Sequence, residues 1–483
     1  KNIDDIELNF LKNNGAKIER EYQNVNFKEV NLKKSLLELT ELLKEEDLIA
    51  LSHLYLYRAM DVEQIFNFIY KVPGDTPGNK RKRTVIRKRL TDNGLVTVCT
   101  YQPNKEAFQI TNKAIDIVRY TRDIPREVLD FDTKQVKRGY YTQADLNMNP
   151  RLINHQVHLN QIMLEFGERA REVGLPWNYY DEKFLSQYHG IRPDGMITIL
   201  DHDIFLEVDM ATESKAQLIE KWEHYRSFVF SEEFRNKSRK IIVIFDVDNI
   251  ISKKNIKKRI DLVRQTIVET FLDQVTDGFD IVIKHQSEIN DYIFESLIPR
   301  ILNKNTDELQ TIKYLQDSGW TVSYGYQLNE TLKGDFYNYF ARKLDDKGKV
   351  VKFSGALQEY FLDFYLDREL SVLHRVEFYN RNTTLYKEKF GRDIRLIIAT
   401  NDLETLYYDL SLLGNKILGQ INIFALDVKN FNPKVELYHN LYTFGLEGEV
   451  FAITSRDHSR KEFKYKIGQK ELRNKKGRVK GGK

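Results

Sequence analysis

The segment that decides the fold of this chain is IRPDGMITILDHDIFLEVDMATESKAQLIEKWEHY, residues 191–225. Its two apolar stretches, residues 196–200 and 204–208, have the length and composition of short β-strands. The polar Asp-His-Asp at residues 201–203 predicts a turn between them. Together these features predict a β-hairpin, which a helix follows after the polar residues 212–214.

Three carboxylates flank the predicted hairpin. Asp194 lies at the start of the first strand, and Glu207 and Asp209 lie at the end of the second. Side chains two positions apart on a strand point the same way, so Glu207 and Asp209 can face one ion while Val208 packs inward. Ligands that offer only oxygen suit Mg²⁺ or Mn²⁺ better than Zn²⁺. The sequence therefore predicts a metal site at Asp194, Glu207 and Asp209.

A metal ion at these carboxylates would favour chemistry at phosphorus. Such an ion can polarise a phosphate oxygen and orient a nucleophile for in-line displacement, which is the chemistry of nucleases. The alternative interpretation is structural. Asp194 follows a proline, and Pro-Asp pairs are common in turns, while Glu207 and Asp209 can form a solvated strand end.

The order of these features resembles the PD-(D/E)XK nuclease fold, in which an apolar strand ends in two acids and a helix follows. The chain departs from that pattern because Asp209 stands where the family has a lysine. The resemblance implies that Lys221, on the following helix, supplies the positive charge instead, with Lys215 as the second candidate. A cation there would neutralise charge that develops on the phosphate. The alternative is that both lysines belong to a solvated helix face.

Length and charge set the wider limits. A chain of 483 residues predicts a multi-domain α/β protein of about three domains. Its net charge is only +4, but residues 80–89 carry seven basic side chains, and residues 456–483 carry twelve basic against three acidic ones. Contacts with a polyanion should therefore be local.

Cysteine content and hydropathy predict where the protein works. The only cysteine, Cys99, excludes an internal disulfide and fits a reducing compartment. The sequence shows neither a cationic-then-apolar leader nor an apolar run near the roughly 20 residues that a membrane span needs. We therefore expect a cytoplasmic protein.

Residues 41–125 predict a winged helix-turn-helix domain, after a polar arm at residues 1–40. Three helices, near residues 46–56, 61–70 and 81–90, precede strands at 95–101 and 107–110. In such folds the third helix enters the major groove of DNA. Here its basic side chains could neutralise phosphates: Arg81, Lys82, Arg83, Arg87, Lys88 and Arg89. The alternatives are a solvated basic face and a module that docks protein.

Residues 126–150 are predicted as a linker and residues 151–298 as the nuclease-like domain. A helix should open this domain, and the resemblance implies that Glu165 or Glu168 on it adds an acid to the site. Both could equally be exposed helix charges. His155 and His158 are three residues apart on the same helix, and we expect capping or core roles for them rather than a zinc site.

At this point a family resemblance can be named. Residues 45 to about 285 resemble the plasmid replication-relaxation family, whose members join a winged helix to a divergent PD-(D/E)XK domain, and also the C class (MobC-type) of conjugative relaxases. The motifs that carry it are the helix pair at residues 54–70, KRKRTVIRKRLTDNGLV at 80–96, His155-Gln156, Arg192-Pro193-Asp194, and FLEVDMATES at 205–214 followed by Lys221 and Tyr225. The resemblance implies Asp194, Glu207, Asp209 and Lys221 as a nicking site.

The C-terminal third, residues 299–454, predicts a second α/β domain before a basic tail at residues 455–483. FYLDREL from Phe364 resembles IFLEVDM from Ile204, which sets Asp367 and Glu369 in the positions of Glu207 and Asp209. One interpretation is a degenerate nuclease-like repeat. Chance similarity between two strand-helix-strand units is the other.

These expectations combine into a Mg²⁺- or Mn²⁺-dependent enzyme that nicks one DNA strand at a plasmid or conjugative transfer origin. Its partners would be double-stranded and nicked DNA, with other transfer or coupling proteins. The main alternative is a non-catalytic DNA-binding factor for plasmid replication or transfer, and a third is a restriction-type endonuclease that breaks both strands. The nucleophile can be water or a tyrosine, such as Tyr180, Tyr188 or Tyr225.

Overall fold

The structure is a computed structural model of the chain. It describes residues 22–24, 34–130, 135–185, 188, 190–236, 239–247, 253–276, 278–302, 304, 306–324, 339–353, 356–414 and 416–468. Most of the predicted arm at residues 1–40 and the last fifteen residues of the predicted basic tail, 469–483, lie outside these described residues.

The helices begin near the described N-terminus and recur along the whole chain. They are α1 (Lys34–Leu42), α2 (Glu45–Tyr57), α3 (Val62–Gln64), α4 (Pro77–Asp92), α5 (Asn112–Thr121), α6 (Gln143–Leu146), α7 (Pro150–Glu172), α8 (Glu182–Leu185), α9 (Lys215–Phe230), α10 (Glu232–Arg235), α11 (Lys253–Thr270), α12 (Gln286–Asp291), α13 (Ile298–Ile301), α14 (Asp307–Asp317), α15 (Leu370–Arg381), α16 (Thr383–Phe390) and α17 (Leu403–Ser411). Short π-helical segments span Ile65–Ile69 and Tyr292–Leu297, and 3₁₀ turns span Leu272–Gln274 and Leu437–Asn440.

The strands alternate with these helices. They are β1 (Tyr22–Asn24), β2 (Ala59–Asp61), β3 (Val96–Gln102), β4 (Lys105–Ile110), β5 (Glu127–Asp130), β6 (Val136–Arg138), β7 (Asn178–Asp181), β8 (Gly195–Ile199), β9 (His202–Asp209), β10 (Lys240–Val247), β11 (Phe279–His285), β12 (Trp320–Tyr324), β13 (Tyr339–Lys343), β14 (Lys352–Phe353), β15 (Ala356–Leu357), β16 (Glu359–Tyr365), β17 (Arg395–Thr400), β18 (Ile423–Asp427), β19 (Leu441–Phe444), β20 (Glu449–Ile453) and β21 (Lys461–Lys466).

The chain divides into two compact units. The first unit comprises residues 1–212, 232–256 and 284–290, and the second comprises residues 213–231, 257–283 and 291–483. Both contain helices and strands in mixed order, so the predicted α/β class is confirmed.

The N-terminal part of the first unit combines helices with a small sheet. Helices α2 and α4 and the β3–β4 hairpin lie where the sequence predicted helices and strands. The structure adds β2, so that three strands pair in the order β2-β4-β3. The side chain of Thr76 caps the start of α4 by accepting a hydrogen bond from the Asn79 N–H, and Pro77 occupies its first turn.

The predicted linker at residues 126–150 contains regular structure. Strands β5 and β6 pair with each other there, and β5 also pairs with β1. A short helix, α6, follows because Thr142 and Asp145 form a capping box. These strands and the helix are too short to produce a clear periodicity in the sequence, which is why the segment resembled a linker.

The predicted hairpin of the deciding segment is present, with one correction to its turn. Strands β8 and β9 are antiparallel and pair Ile199 with His202, so the turn consists of Leu200 and Asp201. Leu200 has a φ of 50°. His202 and Asp203 were predicted in the turn but belong to β9, where the Arg239 guanidinium binds Asp203 Oδ1 at 2.6 Å. That ion pair lets a charged residue stand inside a buried strand.

Strand β9 is central to this part of the first unit. Within the unit the strands lie in the order β10-β9-β8-β7, and β9 runs parallel to β10. Helix α7 lies against these strands, because its His158 Nε2 is 2.7 Å from Asp246 Oδ2 on β10. The Asp246 side chain is fully buried, so this histidine gives a buried acid a hydrogen-bonding partner.

The second unit is built on an eight-stranded sheet. Its strand order is β12-β13-β16-β17-β18-β19-β20-β21, with β16, β17 and β18 parallel and the other pairs antiparallel. Helix α15 connects β16 to β17, and α17 connects β17 to β18. Its core includes Trp320, Tyr360 and Phe424.

A buried acid in the second unit predicts a pH dependence of stability. Burial, together with the charge of Glu369, raises the pKa of Asp280 to about 7, although hydrogen bonds from Ser371 oppose the shift. The folded pKa exceeds the ordinary value of about 3.9. Asp280 therefore makes its full contribution to the free energy of unfolding below about pH 4, and this contribution is lost as the pH rises through 7.

We expect urea unfolding of the full chain to show stability falling between about pH 4 and pH 7. Asp280→Asn should flatten this dependence because an amide does not titrate. Asp273→Asn is the control, since Arg226 lowers the pKa of Asp273 and its effect lies at more acid pH. An Asp280→Asn profile with the slope of the wild type would contradict the assignment.

Candidate active site and nucleic-acid interface

The three predicted acids lie at one end of the β8–β9 hairpin. Glu207 and Asp209 are 3% and 1% exposed, so both carboxylates are buried rather than solvated at a strand end. Asp209 Oδ1 accepts a hydrogen bond from the Ala211 N–H at 2.8 Å. Val208 lies between the two acids on the opposite face of β9.

Asp194 is held beside β9 by two hydrogen bonds. Its N–H donates to Leu206 O at 3.0 Å, which extends the strand ladder by one residue. Its Oδ2 then accepts a hydrogen bond from the Val208 N–H at 2.8 Å. The carboxylate takes the place of the backbone carbonyl that normally accepts this bond in a β-ladder. The register of Gly195 with Leu206 places Asp194 opposite Glu207. The hairpin thus brings Asp194 next to the strand that carries the other two acids.

Glycine immediately after Asp194 permits close packing. A Cβ at residue 195 would lie 3.1 Å from the Tyr179 ring and 3.5 Å from Leu159, which is tighter than normal packing at the first contact. The absence of a side chain therefore lets β8 approach β7 and α7 closely. This approach fixes the position of the neighbouring Asp194.

His155 is the member of this cluster that sequence reasoning missed. It was expected to cap a helix or fill the core, but its Nε2 lies 3.4 Å from Asp194 Oδ2 and 3.2 Å from Val208 O. Burial alone would lower the pKa of His155, yet hydrogen bonding and the charge of Asp194, with a contribution from Glu207, raise it above the ordinary value. The sequence signals were its position near the start of α7 and its place in the His155-Gln156 motif of the family resemblance.

The cluster does not form a preassembled metal site. In the part of the chain that the structure describes, no group of three or more His, Cys, Asp or Glu side chains is placed to hold a metal ion. Asp194 Oδ2 and Asp209 Oδ1 instead bind backbone N–H groups. As placed, the predicted ligands do not fit a Mg²⁺ or Mn²⁺ ion.

The two candidate lysines form ion pairs in the second unit. Lys221 lies on α9, and its Nζ is 3.0 Å from Glu213 Oε1. Lys215 pairs with Glu269 at 2.8 Å and lowers the pKa of that acid through a hydrogen bond. These ion pairs give both lysines a structural role near the start of α9, in addition to the predicted role of supplying charge to a catalytic site.

The candidate helix acids lie away from Asp194. Glu165 is ten residues beyond His155 on α7, which corresponds to about 15 Å along the helix axis. Its carboxylate accepts hydrogen bonds from Gln161 at 2.7 Å and Asn290 at 3.3 Å. Glu168 forms an ion pair with Lys71. The structure therefore places neither acid in the cluster around Asp194.

The tyrosines proposed as nucleophiles differ in exposure. Tyr225, in the second unit, is 1% exposed, and Tyr188 is 8% exposed. Tyr180 is half-buried on β7, where it pairs with Met196 of β8. Among these three tyrosines, Tyr180 is the one with appreciable access to solvent.

The basic residues of α4 divide into two groups. Three arginines are committed to contacts within the domain. Arg83 binds Glu63 at 2.6 Å, Arg87 binds Glu106 at 2.6 Å, and Arg89 binds Asp47 through two hydrogen bonds of 2.8 Å. The other three predicted DNA-binding residues are exposed: Arg81, Lys82 and Lys88. The sequence could not reveal this division because the acids come from other segments.

The acids of the second unit that resembled Glu207 and Asp209 are bound by an arginine. Arg300 donates to Asp367 at 2.9 Å and to Glu369 at 2.6 Å. Both acids follow β16 rather than lie on it, since that strand ends at Tyr365. The guanidinium therefore occupies the space between the two carboxylates that a cation would take in a metal site.

Comparison with known proteins adds one finding. Residues 51–244 match the model of a family described as replication-relaxation. This span is similar to that family. It covers less than half of the chain, but it contains α4, α7 and the β8–β9 hairpin with Asp194, so the resemblance predicted from the sequence is supported there. No curated protein matches the chain, and no solved structure matches it.

Among the described residues, no helix is both long enough and apolar enough to cross a bilayer.

The two kinds of contact on α4 predict different stability effects. Asp47 is fully buried and accepts from Arg89, from Tyr70 and from the Lys44 N–H, so Asp47→Ala leaves three donor groups without this acceptor. We expect a loss of about 3 kcal/mol in the free energy of unfolding. Glu106→Ala removes a pair whose side chains are 40% and 37% exposed, so solvent screening should limit its cost to below about 1 kcal/mol. Urea unfolding measures both, and equal losses would contradict the distinction.

Proposed function

We propose that this chain binds duplex DNA and acts in the replication or transfer of a plasmid. The observation that carries the proposal is the exposed basic face of α4 within the span that matches the replication-relaxation family. The elements α2, β2, α3 and α4 are followed by the β3–β4 hairpin. This order supports a winged helix-turn-helix interpretation, in which α4 is the recognition helix.

The internal arginines support this interpretation because they hold the helix in place. Arg89 joins α4 to the buried Asp47 on α2, and Arg83 donates to Glu63 and to Val72 O. Both contacts fix the inner face of α4. The outer face is then presented to solvent in a defined orientation.

The outer face has the composition that phosphate binding requires. Arg81, Thr84 and Lys88 lie one turn apart along one side of α4, and Val85 is 55% exposed beside them. Lys and Arg neutralise DNA phosphates, while an arginine can also read a guanine in the major groove. The exposed Lys105, at the tip of the β3–β4 hairpin, adds a charge where a wing would contact the backbone.

This division of α4 predicts which variants weaken DNA binding. We expect the double variant R81A/K88A to bind a mixed-sequence duplex more weakly and to reduce the slope of log affinity against log salt by about 2. Arg87→Ala is the matched control, because Arg87 is paired with Glu106 and should change the slope little. Fluorescence anisotropy over a range of salt concentrations measures the slope. An unchanged slope for the double variant would overturn the proposed face.

A second candidate function is strand cleavage that depends on Mg²⁺ or Mn²⁺. It is favoured by the three acids at the end of the β8–β9 hairpin and by His155, which lies beside Asp194. Because the carboxylates are not placed to hold an ion, they would have to rearrange before one binds. In this proposal the protein nicks one strand at a transfer origin.

Relaxation of supercoiled plasmid that carries the gene's own surroundings tests the second candidate. We expect the wild type with Mn²⁺ to produce open circles, and Asp194→Ala to lose at least about 100-fold in rate while DNA binding is retained. Asp201→Asn is the control, because Asp201 lies in the turn of the same hairpin and its side chain is 70% exposed.

Three outcomes separate the alternatives. Open circles produced by the wild type and by Asp201→Asn, but not by Asp194→Ala, support a nicking enzyme. Linear products support an enzyme that breaks both strands. DNA binding without cleavage by any variant would leave the chain as a non-catalytic DNA-binding factor.

A further inference from the structure

A pocket with aromatic walls lies within the first unit. Its volume is about 140 Å³, and its walls come from α2, the π-helical segment Ile65–Ile69 with the residues that follow, and the C-terminal half of α7. The three large aromatic residues in the lining are Tyr57, Phe68 and Trp177. Of the residues predicted from the sequence to act in catalysis or to bind DNA, Glu168 alone lies in this lining.

The aromatic rings are fixed by their neighbours. Trp177 packs edge-on against Phe166, with ring centroids 4.7 Å apart at an interplanar angle of 72°. Tyr57 packs against His53, which also lines the pocket, at 5.6 Å. Rings held in this way offer preorganised surfaces on which a planar ligand can stack.

The pocket also carries charge. Lys71 and Arg171 are part of the lining, together with a single carboxylate, that of Glu168. Lys71 pairs with Glu168, and the side chains of the two are 57% and 36% exposed, which places the pair at the open side. Lys71 and Arg171 give the lining two cationic groups, which favour a ligand that joins a planar ring to a negative group.

The volume limits the size of the ring. An apolar cavity of about 150 Å³ is known to hold benzene, so about 140 Å³ suits one six-membered ring. A planar six-membered ring attached to an anion is the description of a pyrimidine nucleotide.

We propose that this pocket binds the base of a single pyrimidine nucleotide, with its phosphate near Lys71 and Arg171. The base can come from a free nucleotide or from an unpaired position in DNA, because both present the same ring and phosphate. Base stacking on aromatic side chains is the usual way in which proteins hold an unpaired base.

The backbone beside the pocket supports a functional site. The segment before Lys71 is π-helical, a conformation that is rare and frequent at functional sites. Lys71 itself has a φ of 53°, which non-glycine residues seldom adopt. Arg83 of α4 binds the same segment through Asn67 and Val72, so strain there is held by tertiary contacts.

Tryptophan fluorescence of the full chain reports on the pocket. The chain has three tryptophans, and Trp222 and Trp320 are 0% and 5% exposed while Trp177 is half-buried in the lining. We expect thymidine monophosphate to quench the emission and deoxyadenosine monophosphate to bind more weakly, because its fused ring exceeds the single ring that the pocket volume matches. Trp177→Phe should remove most of the quenching.

Gly167 permits a variant that fills the pocket. It lies on α7, and a Cβ there would meet Trp177 at 3.5 Å, which is ordinary contact. Gly167→Leu should therefore occlude the pocket and weaken thymidine monophosphate binding between about 5- and 150-fold, the range of a lost base stack. Gly167→Ala checks that a side chain is accepted by the fold, and Gly78→Leu is the matched control, because nothing lies within 4 Å of its Cβ.

A second experiment, competition by DNA hairpins, distinguishes a base that comes from DNA from a base that belongs to a free nucleotide. A DNA hairpin with one unpaired thymine should compete with the mononucleotide if the base comes from DNA, and a fully paired hairpin should not. Competition by neither hairpin identifies a free nucleotide as the ligand. The mononucleotide arm needs neither the basic face of α4 nor cleavage, so its result is independent of the proposed function.

Two results would overturn the proposal. One is equal affinity of the wild type and Gly167→Leu for thymidine monophosphate while Gly167→Ala is folded. The other is the absence of quenching by any nucleotide at millimolar concentration.

Discussion

A carboxylate that leaves water needs a cation or a hydrogen-bond donor close by, and this requirement fixes the main elements of the protein. Asp47 fastens α4 to α2 through Arg89, and Asp246 fastens β10 to α7 through His158. In the second unit, Asp409 accepts from Arg264 and Arg368. In each case the partners are far apart in the chain, so the pair can form only when the surrounding helices and strands are in place.

The same requirement explains why the sequence predicted the basic helix α4 but not which of its side chains are exposed. The run of seven basic residues at 80–89 identified a basic helix correctly. It could not identify which side chains point inward, because that depends on Asp47, Glu63 and Glu106, which approach α4 only in the folded chain. Periodicity predicts a helix and its faces, whereas ion pairs between distant segments are tertiary information.

The hairpin shows the same boundary between local and tertiary information. Its strands were predicted to within a few residues because apolar runs and their order are local features. The turn was misplaced because Asp203 and His202 are polar, yet Arg239 and the neighbouring Asp201 provide partners that allow them to remain in β9. The link between Asp194 and His155 was also not predicted, since it joins residues on different elements.

The acids at the end of β9 combine features that favour and oppose chemistry. Burial of Glu207 and Asp209 strengthens any electrostatic interaction in which they take part. One oxygen of Asp194 and one of Asp209 already accept hydrogen bonds from backbone N–H groups, which leaves fewer lone pairs for an ion. Hydrogen bonding to Asp194 and the charges of Asp194 and Glu207 raise the pKa of His155 despite its burial, which favours a proton on the ring beside these acids. A cation that enters this cluster must therefore compete with a proton as well as with hydrogen bonds.

The segment between α3 and α4 connects the two surfaces to which we assign ligands. Its residues Phe68 and Lys71 line the pocket, while Asn67 and Val72 accept hydrogen bonds from Arg83 of α4. A ligand in the pocket can change the orientation of α4 only if it binds more tightly to one arrangement of this segment than to another. The π-helical turn and the positive φ of Lys71 make a second arrangement accessible, because relaxing either would recover local strain energy. Coupling between the pocket and the basic face is therefore expected to act through Arg83, whose three acceptors all lie in or beside this one segment.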